Sequence, residues 1–212
     1  MDVTECAKAF IRELFENEYS GHDSSHTFRV LRMSERIASE IGADMQIVRL
    51  AALLHDADDV KLSPGTAENL DRARGFMSSH GVDEDTAEAV CTIIREVSFK
   101  GSDSVTPSTK EGMAVQDADR LDAIGAIGVA RTFAFGGSRG RKMHDPDTPP
   151  QTDMSEAEYR KSDSSSINHF YEKLFKLKDM MNTAPAKRIA EARDAYMHSF
   201  VDEFLCEWAG ER

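Results

Sequence analysis

Two successive residues, His55 and Asp56, close an apolar run, Ile47-Val48-Arg49-Leu50-Ala51-Ala52-Leu53-Leu54. A helix that carries Leu53 and Leu54 into a core therefore delivers an imidazole and a carboxylate to its edge. Consecutive residues on a helix point about 100° apart, so these two reach a common point only near the helix end. His26 upstream and Asp119 downstream complete a set of two imidazoles and two carboxylates, each on its own predicted helix. Imidazole nitrogen and carboxylate oxygen suit a hard or borderline divalent cation. A ligand charge of about −2 matches one such ion and leaves coordination positions open, which separates a catalytic from a structural site. A cation held this way lowers the pKa of a bound water and polarises a phosphoryl oxygen.

Each residue taken singly has a plainer reading. His26 fits a helix start, and Asp56 fits a helix end. Asp117, Asp119 and Asp122 fit a solvated face. The combination is harder to dismiss, because both groups lie in apolar surroundings: His55-Asp56 after Leu54, and the three aspartates within Val115-Gln116-Asp117-Ala118-Asp119-Arg120-Leu121-Asp122-Ala123-Ile124. Buried carboxylates need partners, and a metal is an economical one.

The elements that must position these groups read at helical period throughout. Ala7, Phe10, Ile11, Leu14 and Phe15 form one stripe, broken at Gly21. Asp23 or Ser24 caps a second helix, which Gly42 ends, and Asp44 caps a third that runs to His55. A fourth helix is expected from about Thr66 to Gly81, and a fifth from Asp83 through Val97. A long apolar helix is expected from about Thr109 to Phe135. Residues 136–153 hold Gly, Pro and charge and read as a long, flexible loop, a kind usually functional or disordered. Two helices close the chain, about Ser165–Met181 and Ala184–Trp208. The expectation is an all-α, single-domain protein over residues 1–212, with a core at about 20–135 and C-terminal helices at about 163–209 packing on it.

Bulk composition narrows the function. The chain has 212 residues and a net charge of −12. So acidic a surface argues against nucleic acid as a partner. Cys6, Cys91 and Cys206 are odd in number and lack a CxxC pair, so a reducing compartment is expected. No apolar run is long enough to span a membrane, and the acidic start is unlike a signal peptide, so the expected location is cytoplasmic. The C-terminal stripe Ala195, Phe200, Phe204, Leu205 and Trp208 fits either core or a homodimer seam, with core preferred.

The pattern His26 … His55-Asp56 … Asp119 resembles the H…HD…D signature of the HD-domain phosphohydrolases. The resemblance covers most of the chain. It is strongest to single-domain bacterial and archaeal HD hydrolases, through His22-Asp23-x-x-His26-x-x-Arg29-Val30, Leu53-Leu54-His55-Asp56, Asp117 to Gly125, Phe135-Gly136-Gly137 and His169-Phe170-Tyr171-x-Lys173-Leu174. A related branch is associated with manganese-dependent pyrophosphohydrolysis of nucleoside triphosphates. The resemblance implies a helical fold, one bound divalent metal (Mn²⁺ favoured over Mg²⁺, Co²⁺, Ni²⁺, Fe²⁺ or Zn²⁺) and hydrolysis of a phosphate ester or anhydride. It selects Asp119 as the fourth ligand, through Ala118-Asp119-Arg120-Leu121, over Asp117 and Asp122. It also offers Asp59, four residues after His55, for proton transfer, an offset at which related enzymes often have Glu.

Beside these, Lys61 could meet a phosphate oxygen. Arg139, Arg141 and Lys142 place cations on a glycine-rich stretch of an acidic protein, suited to bidentate phosphate contacts. His169 and Lys173 share a helix face at i, i+4, and His22 lies one turn before His26. His80 and Glu96 raise the option of a second metal, but one metal is the preferred reading. The expected function is metal-dependent phosphohydrolysis of a small phosphorylated molecule, namely a nucleoside triphosphate cleaved to monophosphate and pyrophosphate by a metal-bound water. Asp56 and Asp59 are the expected catalytic groups. The alternative is a non-catalytic nucleotide- or metal-binding sensor of the same fold.

Overall fold

Helix α3 (Met45–Leu54) is buried on nearly every side. Val48, Leu50, Ala51, Ala52, Leu53 and Leu54 are all fully buried. A helix apolar around most of its circumference must be wrapped by others. Three helices do this: α1 (Val3–Leu14), α2 (Ser24–Ile41) and α5 (Glu84–Val97). In this computed structural model the described residues are 2–16, 23–59, 65–97, 105–152 and 164–212.

The chain divides into two compact units. The first ends at Asp119 and adds α4 (Asp71–Ser79), which packs on α5, and most of α6 (Lys110–Asp122). Its helices begin where short acidic side chains can accept from backbone N–H groups. Asp23 accepts from His26 N at 2.8 Å. Asp44 accepts from Gln46 N and Ile47 N at 2.9 and 3.1 Å, and Asp83 accepts from Thr86 N at 3.0 Å. Gly42 ends α2 in the left-handed conformation, φ 65°.

The second unit begins at Arg120 and holds α7 (Gly125–Ser138), α8 (Ser166–Glu172), a 3₁₀ helix (Leu174–Met180) and α9 (Ala184–Ala209). Phe133 lies at the centre of an aromatic cluster, with ring centroids 6.4 Å from Phe170 and 5.8 Å from both Phe200 and Phe204. Among the described residues there are nine α-helices and no strand, which fits the all-α expectation.

Four expectations change. The single helix over 109–135 is two, because Ile124 is extended and Gly125 has φ 77°. Its apolar pattern continues across this break, so periodicity alone does not reveal it. The fourth helix starts at Asp71 rather than near Thr66. The helix expected over 165–181 breaks at Lys173, where φ −137° and ψ −56° leave the helical region. The buried seam of α9 is Ala186, Ala190, Asp194, Met197 and Val201. Of the stripe expected to be core, Ala195 and Trp208 are exposed and Phe200, Phe204 and Leu205 are half-buried.

Of the stretch expected to be a flexible loop, the described residues 136–152 are tied down. Gly136 and Gly137 belong to the last turn of α7. The next residues are pinned to the start of α8: Ser166 N donates to Lys142 O at 3.0 Å and Ile167 N to Met143 O at 2.9 Å. Asn168 Nδ2 donates to Thr148 O at 2.8 Å, and Gln151 N to Glu172 Oε1 at 3.2 Å. A Cβ on Gly136 would stand 2.3 Å from Ser166 Oγ, so a side chain there would have to turn that hydroxyl aside.

Candidate metal centre

Three helices of the first unit bring the four sequence-selected side chains together. His26 lies in the first turn of α2, fixed there by the Asp23 cap. His55 follows the last residue of α3, and Asp56 sits in the turn beyond it. Asp119 comes from the last full turn of α6. Asp56 Oδ2 is 3.5 Å from His26 Nε2 and 3.3 Å from His55 Nε2. Asp119 Oδ1 is 3.4 Å from His26 Nε2 and 4.0 Å from His55 Nε2. The two imidazole rings meet edge-on, with centroids 5.5 Å apart.

The donor set fits a cation. Donor atoms of His26, His55 and Asp56 all lie within 4.8 Å of one another. His55 Nδ1 is 2.9 Å from Ala52 O, and a carbonyl can only accept, so the proton is on Nδ1. That leaves the Nε2 lone pair facing the carboxylates. Nε2 of His55 is buried and forms no hydrogen bond of good geometry within the protein. A buried lone pair turned toward two carboxylates is poorly satisfied without a positive ion. Orientation of a ligating imidazole by a backbone carbonyl at its other nitrogen is a common supporting contact in metal sites.

Charge dominates these groups. Burial pushes the His55 pKa down, but the Asp56 and Asp119 carboxylates outweigh it and leave the imidazole raised. Burial pushes Asp119 up, but the hydrogen bond and charges from His26 and His55 outweigh that, and its pKa is lowered. Asp56 is buried, whereas the Asp119 side chain keeps 29% exposure and gives the cluster an open side.

The other candidates separate. Asp122 is ion-paired with Arg131 at 2.7 Å, and Asp117 is fully buried in α6. Asp59 is half-buried, and its N–H donates to Asp56 O at 3.1 Å. His80 stacks on Phe76 with Nδ1 2.8 Å from Phe76 O, and Glu96 accepts from Ser108 N at 3.1 Å, so both have structural partners. His22 and Lys61 lie outside the described residues.

In the second unit, the charges of Lys173 and Arg141 act on His169. Burial, then the Lys173 and Arg141 charges, push the His169 pKa down to about 3. This imidazole is neutral beside two cations. Arg139 is exposed, and its guanidinium lies 5.5 Å from the Phe135 ring centroid.

Sequence reasoning passed over Asp58. It sits two residues after Asp56 and is buried. Its carboxylate accepts from Arg72 N at 3.1 Å and Ala73 N at 2.9 Å, at the start of α4. The signal available in the sequence was the absence of a capping side chain at Leu70, just before Asp71.

The model of the HD domain matches residues 24–124, which contain all four clustered side chains. YpgQ of Bacillus subtilis is 37% identical over 196 residues, spanning 92% of this chain and 88% of YpgQ. A solved structure from Lactobacillus plantarum superposes with a TM-score of 0.87 at 38% identity, over 98% of this chain and 97% of that one. An HD-superfamily hydrolase of Bacillus thuringiensis superposes with a TM-score of 0.76 at 39% identity, over 97% and 96%. YpgQ in complex with ADP superposes with a TM-score of 0.76 at 33% identity, over 95% of each chain. The chain belongs to the HD-domain family of metal-dependent hydrolases. No helix among the described residues is long and apolar enough to cross a membrane.

Proposed function

We propose that this chain hydrolyses nucleoside triphosphates to monophosphate and pyrophosphate, using one divalent cation, with Mn²⁺ favoured. The observation that carries the reading is the convergence of His26, His55, Asp56 and Asp119, with imidazole-to-carboxylate distances of 3.3 to 4.0 Å. The ADP complex of YpgQ supports a nucleotide as the substrate class.

His26, His55, Asp56 and Asp119 are the assigned ligands. When bound, the cation supplies Lewis acidity, activating water and drawing charge from the phosphoryl oxygens. Water oxygen joins the α-phosphorus and the bond from that phosphorus to the bridging oxygen breaks, releasing pyrophosphate. Ala52 O holds the His55 imidazole in the tautomer that offers Nε2. Asp59 is assigned to carry the proton released by water. At that offset a carboxylate one methylene shorter than Glu reaches its target through a closer approach or a relaying water. Lys61, Arg139, Arg141, His169, Lys173 and His22 are assigned to contact the phosphate chain. Arg suits this role because its fork pairs two oxygens at once.

The test is phosphate and pyrophosphate release from a panel of nucleotides with Mn²⁺, Mg²⁺, Co²⁺ or EDTA, beside Asp56→Ala. Pyrophosphate release that needs metal and disappears in the variant supports the proposal. Orthophosphate in place of pyrophosphate moves the scissile bond. Nucleotide binding with no release under any metal overturns catalysis in favour of a sensor module.

A further inference from the structure

Helix α4 begins without a cap of its own. Leu70, the residue before it, is buried and left-handed at φ 57°, and offers no side-chain acceptor. An L-residue with a side chain adopts that conformation at a cost, so surrounding structure must impose it. The first N–H groups of a helix still need acceptors. Two of them, from Arg72 and Ala73, donate to separate oxygens of Asp58, fourteen and fifteen residues back in the chain. Arg72 adds a second tie, its Nη1 donating to Ala57 O at 3.3 Å.

Ala57 and Asp58 directly follow His55-Asp56, in one hydrogen-bonded turn: Ala57 N donates to Leu54 O and Asp59 N to Asp56 O, both at 3.1 Å. Helix α4 packs on α5, and α5 packs on α3, the helix that delivers His55. The turn is therefore held from two directions, by α3 before it and by α4 after it.

We propose that Asp58 is a positioning residue for the metal centre: its carboxylate clamps the His55-Asp56 turn to the start of α4 and so fixes where two of the ligands point. Its carboxylate is turned to the N–H groups at the start of α4, and it is not among the side chains whose donor atoms cluster with His26 and His55. This inference rests on the metal reading above.

The experiment is calorimetric titration of the full chain with Mn²⁺ alone, together with far-UV circular dichroism and thermal melting. The wild type is compared with Asp58→Asn, Asp58→Ala and Asp83→Ala. Asp83 caps α5 in the same chemical manner, away from the His55-Asp56 turn, and so reports what the loss of a cap does by itself. Loss of a residue that orients ligands weakens metal binding about tenfold to a hundredfold. We expect such a loss for Asp58→Ala, a smaller one for Asp58→Asn, which keeps one acceptor oxygen, and an unchanged Kd for Asp83→Ala despite a lowered melting point. Wild-type affinity in a folded Asp58→Asn and Asp58→Ala overturns the proposal, as does an equal loss in Asp83→Ala. If Asp58→Ala does not fold, a folded Asp58→Asn decides alone: a weaker Kd supports the clamp and an unchanged one overturns it. A wild type that takes up no Mn²⁺ overturns the metal reading itself, a result distinct from a wild type that binds while the variants match it.

Discussion

Two histidines, one in each unit, stand in opposite electrostatic surroundings. His55 faces the carboxylates of Asp56 and Asp119, and its pKa is raised despite burial. His169 stands beside Lys173 and Arg141, and its pKa falls to about 3. The same side chain thus sits among negative charge in one unit and among positive charge in the other. Desolvation opposes the charged form of both, so it cannot be what sets them apart. The sign of the neighbouring charge decides, by strengthening or opposing the desolvation that both imidazoles suffer.

The largest test removes the cation-seeking side of this contrast. His55→Ala or His26→Ala should weaken Mn²⁺ binding by roughly a hundredfold or more, since even residues that only support ligands cost tenfold to a hundredfold; titration calorimetry reads this directly. A variant that still binds as tightly as the wild type would show that the carboxylates suffice.

Next comes reversal of the other side. Lys173→Glu puts a carboxylate one turn from His169, and an opposite charge at that range moves a pKa by about 1 to 3 units. The His169 resonances, followed by NMR against pH, should titrate at least about one unit above the wild type.

The lowered His169 pKa also carries a stability consequence of definite sign. Unfolded, this imidazole takes up a proton near pH 6.5, whereas folded it stays neutral to about pH 3. The unfolded state therefore binds more protons between those values, and folding stability falls as pH drops below 6.5. By pH 5 the loss is on the order of 1 kcal/mol, from 1.36 kcal/mol per unit of pKa difference discounted for partial solvent access. His169→Gln should lose less of its melting temperature between pH 7 and pH 5 than the wild type does. The smallest effect belongs to Arg139, exposed over the Phe135 ring: Arg139→Ala should change stability by no more than about 0.5 to 1 kcal/mol in chemical denaturation.

What the sequence displayed and what it hid divide along a physical line. Asp23, Asp44 and Asp83 were legible as helix starts because each accepts from N–H groups two or three residues away. His55 and Asp56 were legible because polar groups directly after a buried run need a use. The break at Gly125 was hidden, since Ala123, Ile124 and Ile127 keep up an apolar pattern while the backbone reverses its φ. Asp58 was hidden, because its partners are at positions 72 and 73. The stretch after Gly136 read as flexible for the same reason: its backbone is held by residues 166 to 172, twenty or more positions on. Local patterns record local hydrogen bonds, and bonds made across distance leave composition unchanged.

The start of α6 has its own anchor in the first unit. Glu111 Oε1 accepts from Asp44 N at 2.8 Å, and the Lys110 ammonium donates to Gly42 O, so the helix is fastened to the turn between α2 and α3. Asp119 lies eight residues beyond Glu111, about 12 Å along the axis at 1.5 Å per residue. A helix transmits rotation without slack. One residue inserted between Glu111 and Asp119 would swing the carboxylate about 100° around the axis, while a conservative substitution at the same place would scarcely move it. This segment should therefore resist any change in length.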